Sequence, residues 1–134
     1  MATIGRLLAV TLDSPDPLRL ARFYQEITGG ELFAGNEDFV VLTTDDHVRL
    51  DFQRVANHQP PRWPGPDAPR RVHLDFIVDD LDQAEAQVMN LGAVRSEFQP
   101  GGRRFRVLLD PAGHPFCLAT KDAAVTPQTR PAAP

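Results

Sequence analysis

The sequence predicts an α+β protein made of two tandem βαβββ modules. Two segments of similar length, about 5–53 and 72–120, each run from an extended stretch into an amphipathic helix and then into three short strands. The two helices are predicted to begin after Asp16 and Asp80, which lie 64 residues apart. A constant offset between matching features indicates an internal duplication.

In the first module, an extended run over 7–12 precedes a turn and a helix. Asp16 is the predicted N-cap, and Pro17 takes the first helical position, where its missing N–H costs no hydrogen bond. Gly29 and Gly30 are predicted to end the helix. Its apolar face has helical spacing and consists of Leu20, Phe23, Tyr24 and Ile27. The three strands that follow are predicted over about 31–34, 38–43 and 47–53.

The second module repeats this order, with a first strand over 72–78. Asp80 is the predicted N-cap of its helix, Gln83 follows three residues later as in a capping box, and Gly92 ends the helix. The apolar face of this helix consists of Leu81, Ala84, Val88 and Leu91. Strands are predicted over about 93–98, 104–109 and 114–119. The last two form a hairpin, because residues 110–113 read Asp-Pro-Ala-Gly, a type I turn sequence.

A ferredoxin-like βαββαβ chain is the competing fold. That topology has fewer strands in each repeat, and it would leave the strand predicted over 38–43 without a partner. The duplicated βαβββ order accounts for that strand. We therefore predict the two-module fold.

We expect residues 1–121 to form a single domain. Module 1 covers about 5–56 and module 2 about 72–120, joined by a proline-rich linker at 57–71. Residues 122–134 are predicted to be a disordered tail, because they are poor in large apolar side chains.

Composition excludes several classes of function. The 14 basic and 18 acidic residues give a net charge of −4, which argues against binding of nucleic acid. No apolar run approaches the roughly 20 residues that cross a bilayer, so we expect neither a membrane protein nor a membrane-bound one. The single cysteine, Cys117, allows no internal disulfide and is consistent with a reducing cytoplasm.

Several short motifs occur along the chain in a particular order and spacing. They are Asp16-Pro17-Leu18, Phe23-Tyr24, Gly29, Leu50 to Val55, Pro61 to Pro64, His73 to Asp75, Asp80 to Asp82, Leu91-Gly92 and Asp110 to Cys117. In this order and spacing they resemble the vicinal-oxygen-chelate superfamily of glyoxalases, bleomycin-resistance proteins and extradiol dioxygenases. The combination FQRV…RWP…HLDF in particular resembles a glyoxalase-like subgroup of that superfamily. The resemblance implies that the modules form a strongly curved mixed sheet shaped as a cup.

The resemblance also implies where a metal would bind, since metal-using members place four ligands in the cup, from the first and last strands of each module. Strand alternation and the 64-residue offset map these positions onto Ala9, Asp51, His73 and Cys117. Alanine cannot ligate a metal, and a thiol replaces the usual carboxylate. We therefore expect no metal cofactor. Zinc is the one exception left open, on Asp51, His73 and Cys117.

His73, Asp75 and Asp51 are the candidate catalytic residues, because imidazole and carboxylate groups exchange protons near neutral pH. A hydrogen-bonded strand histidine with no chemistry is the alternative for His73, and a small half-buried side chain is the alternative for Cys117. The candidate ligand-binding residues would line the cup with polar and aromatic groups. They are Thr11, Gln53, Trp63, Phe33, Phe39 and Cys117. Trp63 could equally well cap the core.

The function predicted from these features is that of a small-molecule-binding protein that needs no metal. It would either sequester an organic compound or catalyse proton transfer on it, as a lyase or isomerase does. The alternative is a metal-dependent lyase or dioxygenase of the same superfamily.

We also predict a homodimer, because superfamily relatives commonly dock two chains and curved sheets leave strand edges that need cover. Light scattering of the purified protein should give twice the mass of one chain. A mass of a single chain in dilute buffer would contradict this prediction.

Overall fold

Each half of the chain folds as one helix against a four-stranded mixed sheet, in a computed structural model that describes residues 3–61 and 72–122. The first module contains β1 (Val10–Ser14), α1 (Pro17–Thr28), β2 (Glu31–Asn36), β3 (Phe39–Thr43) and β4 (Arg49–Arg54). The second contains β5 (Leu74–Ile77), α2 (Leu81–Asn90), β6 (Val94–Arg95), β7 (Phe105–Leu109) and β8 (Pro115–Ala119). The predicted βαβββ order is confirmed in both modules.

The two sheets have the same topology. Their strand orders are β1-β4-β3-β2 and β5-β8-β7-β6, and in each the first strand pairs in parallel with the last. Strand β3, for which the ferredoxin-like fold has no place, lies between β4 and β2 with antiparallel partners on both sides. The duplication predicted from the sequence is therefore a duplication of structure.

The chain divides into two compact units, 1–58 and 59–134, with the boundary inside the predicted linker 57–71. Most of that linker, including Trp63, and all but Asp122 of the predicted tail lie outside the described residues. The cup that the resemblance implies across both modules stays a prediction.

Both helices begin at the predicted caps. The Asp16 carboxylate accepts a hydrogen bond from the backbone N–H of Arg19 at 3.2 Å, and the Asp80 carboxylate accepts one from Gln83 at 3.0 Å. Such caps satisfy N–H groups that have no partner within the helix. Helix α1 ends at Gly29, whose φ of 67° is the left-handed conformation that glycine adopts at little cost.

The core of the first module lies between α1 and its sheet. The ring of Tyr24 stacks on that of Phe52 with centroids 5.9 Å apart, and the Phe23 ring meets Tyr24 edge-on. All three aromatic rings are buried, and so are the aliphatic residues around them, Leu20, Val40, Leu42 and Leu50. This set identifies the face of the sheet that α1 covers, since side chains alternate along each strand.

Helix α2 packs on the second sheet through fewer buried apolar residues than α1 and through ion pairs with two arginines. Leu81 and Val88 are its buried apolar residues, whereas Leu91 is 39% exposed although the sequence pattern assigned it to the apolar face. Arg106 on β7 binds Asp82 at 3.0 Å, and Arg95 on β6 binds Glu85 at 3.0 Å. These two arginines mark the face of the second sheet that α2 covers.

Some strands have boundaries that differ from those predicted from the sequence, and for β6 a side chain makes the hydrogen bonds that a longer strand would make. Strand β6 covers only Val94–Arg95, not 93–98, because the Gln99 side chain occupies the neighbouring edge of β7. Its amide oxygen accepts from the Val107 N–H at 2.9 Å and its amide nitrogen donates to the Val107 carbonyl at 2.7 Å. Strand β1 begins at Val10 and extends to Ser14, into the residues predicted to form a turn.

The hairpin between β7 and β8 forms as predicted. The Gly113 N–H donates to the Asp110 carbonyl at 2.8 Å, and the buried Asp110 carboxylate accepts from Ala112 and His114. In the hairpin between β3 and β4, strand β4 begins at Arg49 rather than at the predicted residue 47, and Val48 is 52% exposed.

Among the described residues, neither helix has the length and apolar character to span a membrane.

We predict that Gly30→Ala unfolds the protein more easily, by at least about 2 kcal/mol. Gly30 has a φ of 103°, and a methyl group there would overlap the carbonyl oxygen of Thr43 on β3. Urea unfolding followed by circular dichroism measures the loss. The matched control is Gly5→Ala, which meets no atom within 4 Å and should change stability by less than about 0.5 kcal/mol. Equal stability of the two variants would contradict the predicted steric clash at residue 30.

Candidate functional site

The candidate catalytic residues of the second module lie on the face of its sheet away from α2. Register aligns Asp75 on β5 with Cys117 on β8 and with Val107 on β7. Val107 alternates with Arg106, whose side chain reaches α2, so this row points to the opposite side. We call it the α2-distal face. The orientation inferred for Asp75 and Cys117 by strand alternation agrees with this arrangement.

His73 and Asp75 form a close pair on this face. Nε2 of His73 lies 3.4 Å from Oδ2 of Asp75, and the two side chains are 30% and 40% exposed. A carboxylate at this distance can orient the imidazole ring. A reactant that reaches this half-exposed pair meets an imidazole and a carboxylate side by side.

Cys117 lies beside the His73–Asp75 pair, on the buried side of that pair. It is 2% exposed and belongs to an apolar cluster with Phe105, Val107 and Ala119, all on the α2-distal face. Donor atoms of His73, Asp75 and Cys117 all lie within 4.8 Å of one another. The thiol therefore has an apolar environment on one side and the His–Asp pair on the other.

These three residues have the chemistry of a zinc site. Nitrogen, oxygen and sulfur donors suit zinc, whose tetrahedral ligands at about 2.0–2.3 Å stand roughly 3.5 Å apart. The donor atoms within 4.8 Å would need small side-chain rotations to reach that spacing. The set suits magnesium poorly, because that ion prefers oxygen ligands in an octahedron. The carboxylate of this group is that of Asp75, whereas the ligand set expected from the sequence contains Asp51 instead.

Asp51 has a different partner, on the first sheet. Its side chain is 6% exposed, and Arg49 contacts both carboxylate oxygens, Nε to Oδ1 at 2.7 Å and Nη2 to Oδ2 at 3.1 Å. The hydrogen bond to Asp51 raises the pKa of Arg49 above its ordinary value. Asp51 is thus the counter-ion of a guanidinium in this structure. Its predicted catalytic role stays a prediction.

The other predicted ligand-binding residues of the first module share one face of its sheet, away from α1. Pairing places Thr11, Asp51, Val41 and Phe33 in one row across all four strands. In the next row the Gln53 amide donates to the Asp13 carboxylate at 2.9 Å, and Phe39 pairs with Gln53. We call this the α1-distal face. Their binding role stays a prediction, and Trp63 lies outside the described residues.

Arg49 is the residue that sequence reasoning did not assign to the site. The signal was present, because Arg49 and Asp51 are two residues apart on one strand and therefore share a face. What the spacing could not show is that the arginine bends along the strand to bind this carboxylate.

A cavity of about 500 Å³ opens on the other side of the first sheet, beside the start of α1. Its walls include Leu18, Val40 and the Arg54–Glu37 ion pair, whose charged atoms lie 3.8 Å apart. The predicted ligand-binding residues Thr11 and Gln53 are not among its walls.

Comparison with known proteins gives one family and one fold. The model of the glyoxalase-like domain family matches residues 9–119 of this chain. No curated protein matches the sequence.

Three solved structures illustrate the fold. A glyoxalase/bleomycin resistance protein/dioxygenase family enzyme from Burkholderia phytofirmans superposes with a TM-score of 0.67 at 18% identity, over 87% of this chain and 98% of that one. A glyoxalase-related enzyme from Fulvimarina pelagi gives 0.63 at 19%, over 90% and 91%. A glyoxalase family protein from Bacillus cereus gives 0.63 at 18%, over 89% and 95%. At such identities the likeness shows the fold alone.

Proposed function

Because this chain belongs to the glyoxalase-like domain family, we propose that it binds a small organic molecule and acts on it by proton transfer through His73 and Asp75, without a metal ion. The observation that carries the proposal is the His73–Asp75 pair, with Nε2 and Oδ2 3.4 Å apart and both side chains partly exposed. The reaction would belong to the lyase or isomerase type.

The separate roles of His73 and Asp75 follow from the chemistry of imidazole and carboxylate groups. A neutral imidazole removes a proton from an acidic C–H, and a carboxylate beside it stabilises the imidazolium that results. Asp75 would therefore act through His73, and it would also act as a base itself where the substrate lies closer to it.

Two observations support a metal-free reaction. The position of the first superfamily ligand is Ala9, which has no donor atom. At the second ligand position, Asp51 has both carboxylate oxygens bonded to Arg49, and a bound cation would have to compete with that guanidinium. The two positions of the first module that correspond to superfamily metal ligands therefore contribute little to binding a metal ion.

The remaining features complete the proposal. Thr11, Gln53, Phe33 and Phe39 would contact the ligand from the α1-distal face. We further propose a homodimer in the cytoplasm, where the thiol of Cys117, which forms no disulfide, stays reduced.

We predict that the protein speeds hydrogen–deuterium exchange at the benzylic carbon of phenylpyruvate, an acidic C–H next to a ketone. His73→Ala should lower the rate by roughly 10²- to 10⁴-fold, and chelator should leave it unchanged. Proton NMR in D₂O measures the exchange.

The control is His47→Asn, which removes a histidine from a turn where its φ of 63° also suits asparagine. Exchange as fast in His73→Ala as in the unmodified protein would refute the catalytic role. Thermal stabilisation by phenylpyruvate without exchange would indicate a protein that only sequesters its ligand.

A zinc-dependent lyase or dioxygenase is the second candidate, and the grouping of His73, Asp75 and Cys117 within 4.8 Å favours it. These three residues would hold the ion, which when bound would supply a Lewis acid to polarise a substrate oxygen.

On the metal-free proposal, we predict that elemental analysis of untagged protein finds far less than one zinc per chain. About one zinc per chain, lost in Cys117→Ser and in His73→Ala, would instead establish the second candidate. The matched pair Asp75→Asn and Asp51→Asn then identifies the carboxylate ligand, because zinc lost only in the former places the ion on the three grouped residues.

A further inference from the structure

The α1-distal face carries one positive group at its centre. Arg49 on β4 bends along its strand and binds Asp51 through one edge of the guanidinium, using Nε and Nη2. The side chain of Asp51 is 6% exposed, whereas that of Arg49 is 33% exposed. The carboxylate is thus on the inside of the pair, and the guanidinium is on the outside.

The outer side of the Arg49 guanidinium has N–H groups that can donate hydrogen bonds to a ligand. A guanidinium has five N–H groups in one plane, and side-on binding of a carboxylate uses two of them. Within residues 3–61 and 72–122, the acidic group that Arg49 contacts is that of Asp51. The hydrogen bond that raises the pKa of Arg49 also keeps this group charged at every pH a cell reaches.

Beside this charge lies an apolar surface on the same face. Val41 pairs with Asp51 on the next strand, and Phe33 pairs with Val41 one strand further, so Phe33 stands two strand spacings, roughly 9.5 Å, from Asp51. Phe33 is 71% exposed, which is unusual for an aromatic residue in a sheet. A methyl group at Gly35 would lie 3.4 Å from the Phe33 ring, so the ring leans over that glycine.

We propose that the α1-distal face binds an organic carboxylate with an aromatic or other flat apolar body, and that Arg49 is the residue that selects the carboxylate. This inference rests on the proposed function, because it names the class of the small molecule bound there. The carboxylate binds the outer edge of the Arg49 guanidinium. The apolar body lies across Val41 toward Phe33.

The pairing with Asp51 explains why a carboxylate fits better than a more highly charged anion. A guanidinium already paired with one carboxylate keeps its planar donors but has much of its charge balanced, so it suits a singly charged, planar acceptor. Asp51 also fixes the guanidinium in place, which lowers the entropy cost of binding. The other acidic groups on this face are Asp13, bonded by Gln53, and Glu31 at the outer edge of the sheet.

The test compares trans-cinnamate with trans-cinnamamide, a neutral molecule of nearly the same shape, by calorimetric titration. We expect the unmodified protein to bind cinnamate at least about tenfold more tightly, since a charged hydrogen-bond pair is lost in the amide. Arg49→Gln would leave Asp51 buried without a counter-ion and threaten the fold. The informative variant is therefore the double change Arg49→Gln with Asp51→Asn, which keeps a neutral pair and should bind both compounds alike.

Two single variants sharpen the result. Arg49→Lys keeps the charge but loses the planar donors, and it should keep only part of the preference. Arg54→Gln removes the same charge from the same strand on the face toward α1, and it should keep the whole preference.

Equal binding of cinnamate and cinnamamide by the unmodified protein would overturn the inference, as would a preference that survives the double change. Both results leave proton transfer by His73 intact, since the phenylpyruvate exchange tests it separately. A double variant that loses the dimer would mean that a second copy of the chain covers this face, which also overturns the inference.

Discussion

In each module the first strand pairs in parallel with the last, and this pairing brings the chemically active side chains together. It aligns Thr11 with Asp51 in one sheet and Asp75 with Cys117 in the other. Parallel neighbours must be joined by a crossover, and the helix supplies part of it. Because the helix then covers one face of its sheet, polar residues that alternate with the core are directed to the opposite face.

The duplicated frame carries different chemistry in its two copies. The inner strand holds Asp51 in one module and Cys117 in the other, and both side chains are buried. A buried carboxylate needs a counter-charge, which Arg49 supplies, whereas a buried thiol needs only apolar neighbours. Asp75 lies on β5, the outer strand of its sheet, and its side chain is 40% exposed, so water can solvate its charge. The first module therefore presents a guanidinium paired with a buried carboxylate, and the second presents a partly exposed His–Asp pair.

Local signals in the sequence were sufficient for most of the fold. Asp16 and Asp80 cap their helices through hydrogen bonds to residues three positions later. The turn at 110–113 is held by a hydrogen bond between its own first and last residues. Such interactions depend on neighbours in the chain, so spacing reveals them. The shortening of β6 escaped prediction because the Gln99 side chain bonds a strand eight residues further on.

The sequence by itself determined which residues share a face, including His73 with Asp75 and Phe33 with its strand neighbours. It also determined the duplication, since the 64-residue offset is visible without coordinates. Only the tertiary structure decided that Asp51 binds Arg49 and that Asp75 lies next to His73. Alternation places Asp51 and Asp75 on equivalent faces, but the direction in which a long arginine side chain bends depends on three-dimensional packing. That bend pairs Asp51 with Arg49 in the first sheet. In the second sheet, packing brings Asp75 beside His73 and Cys117.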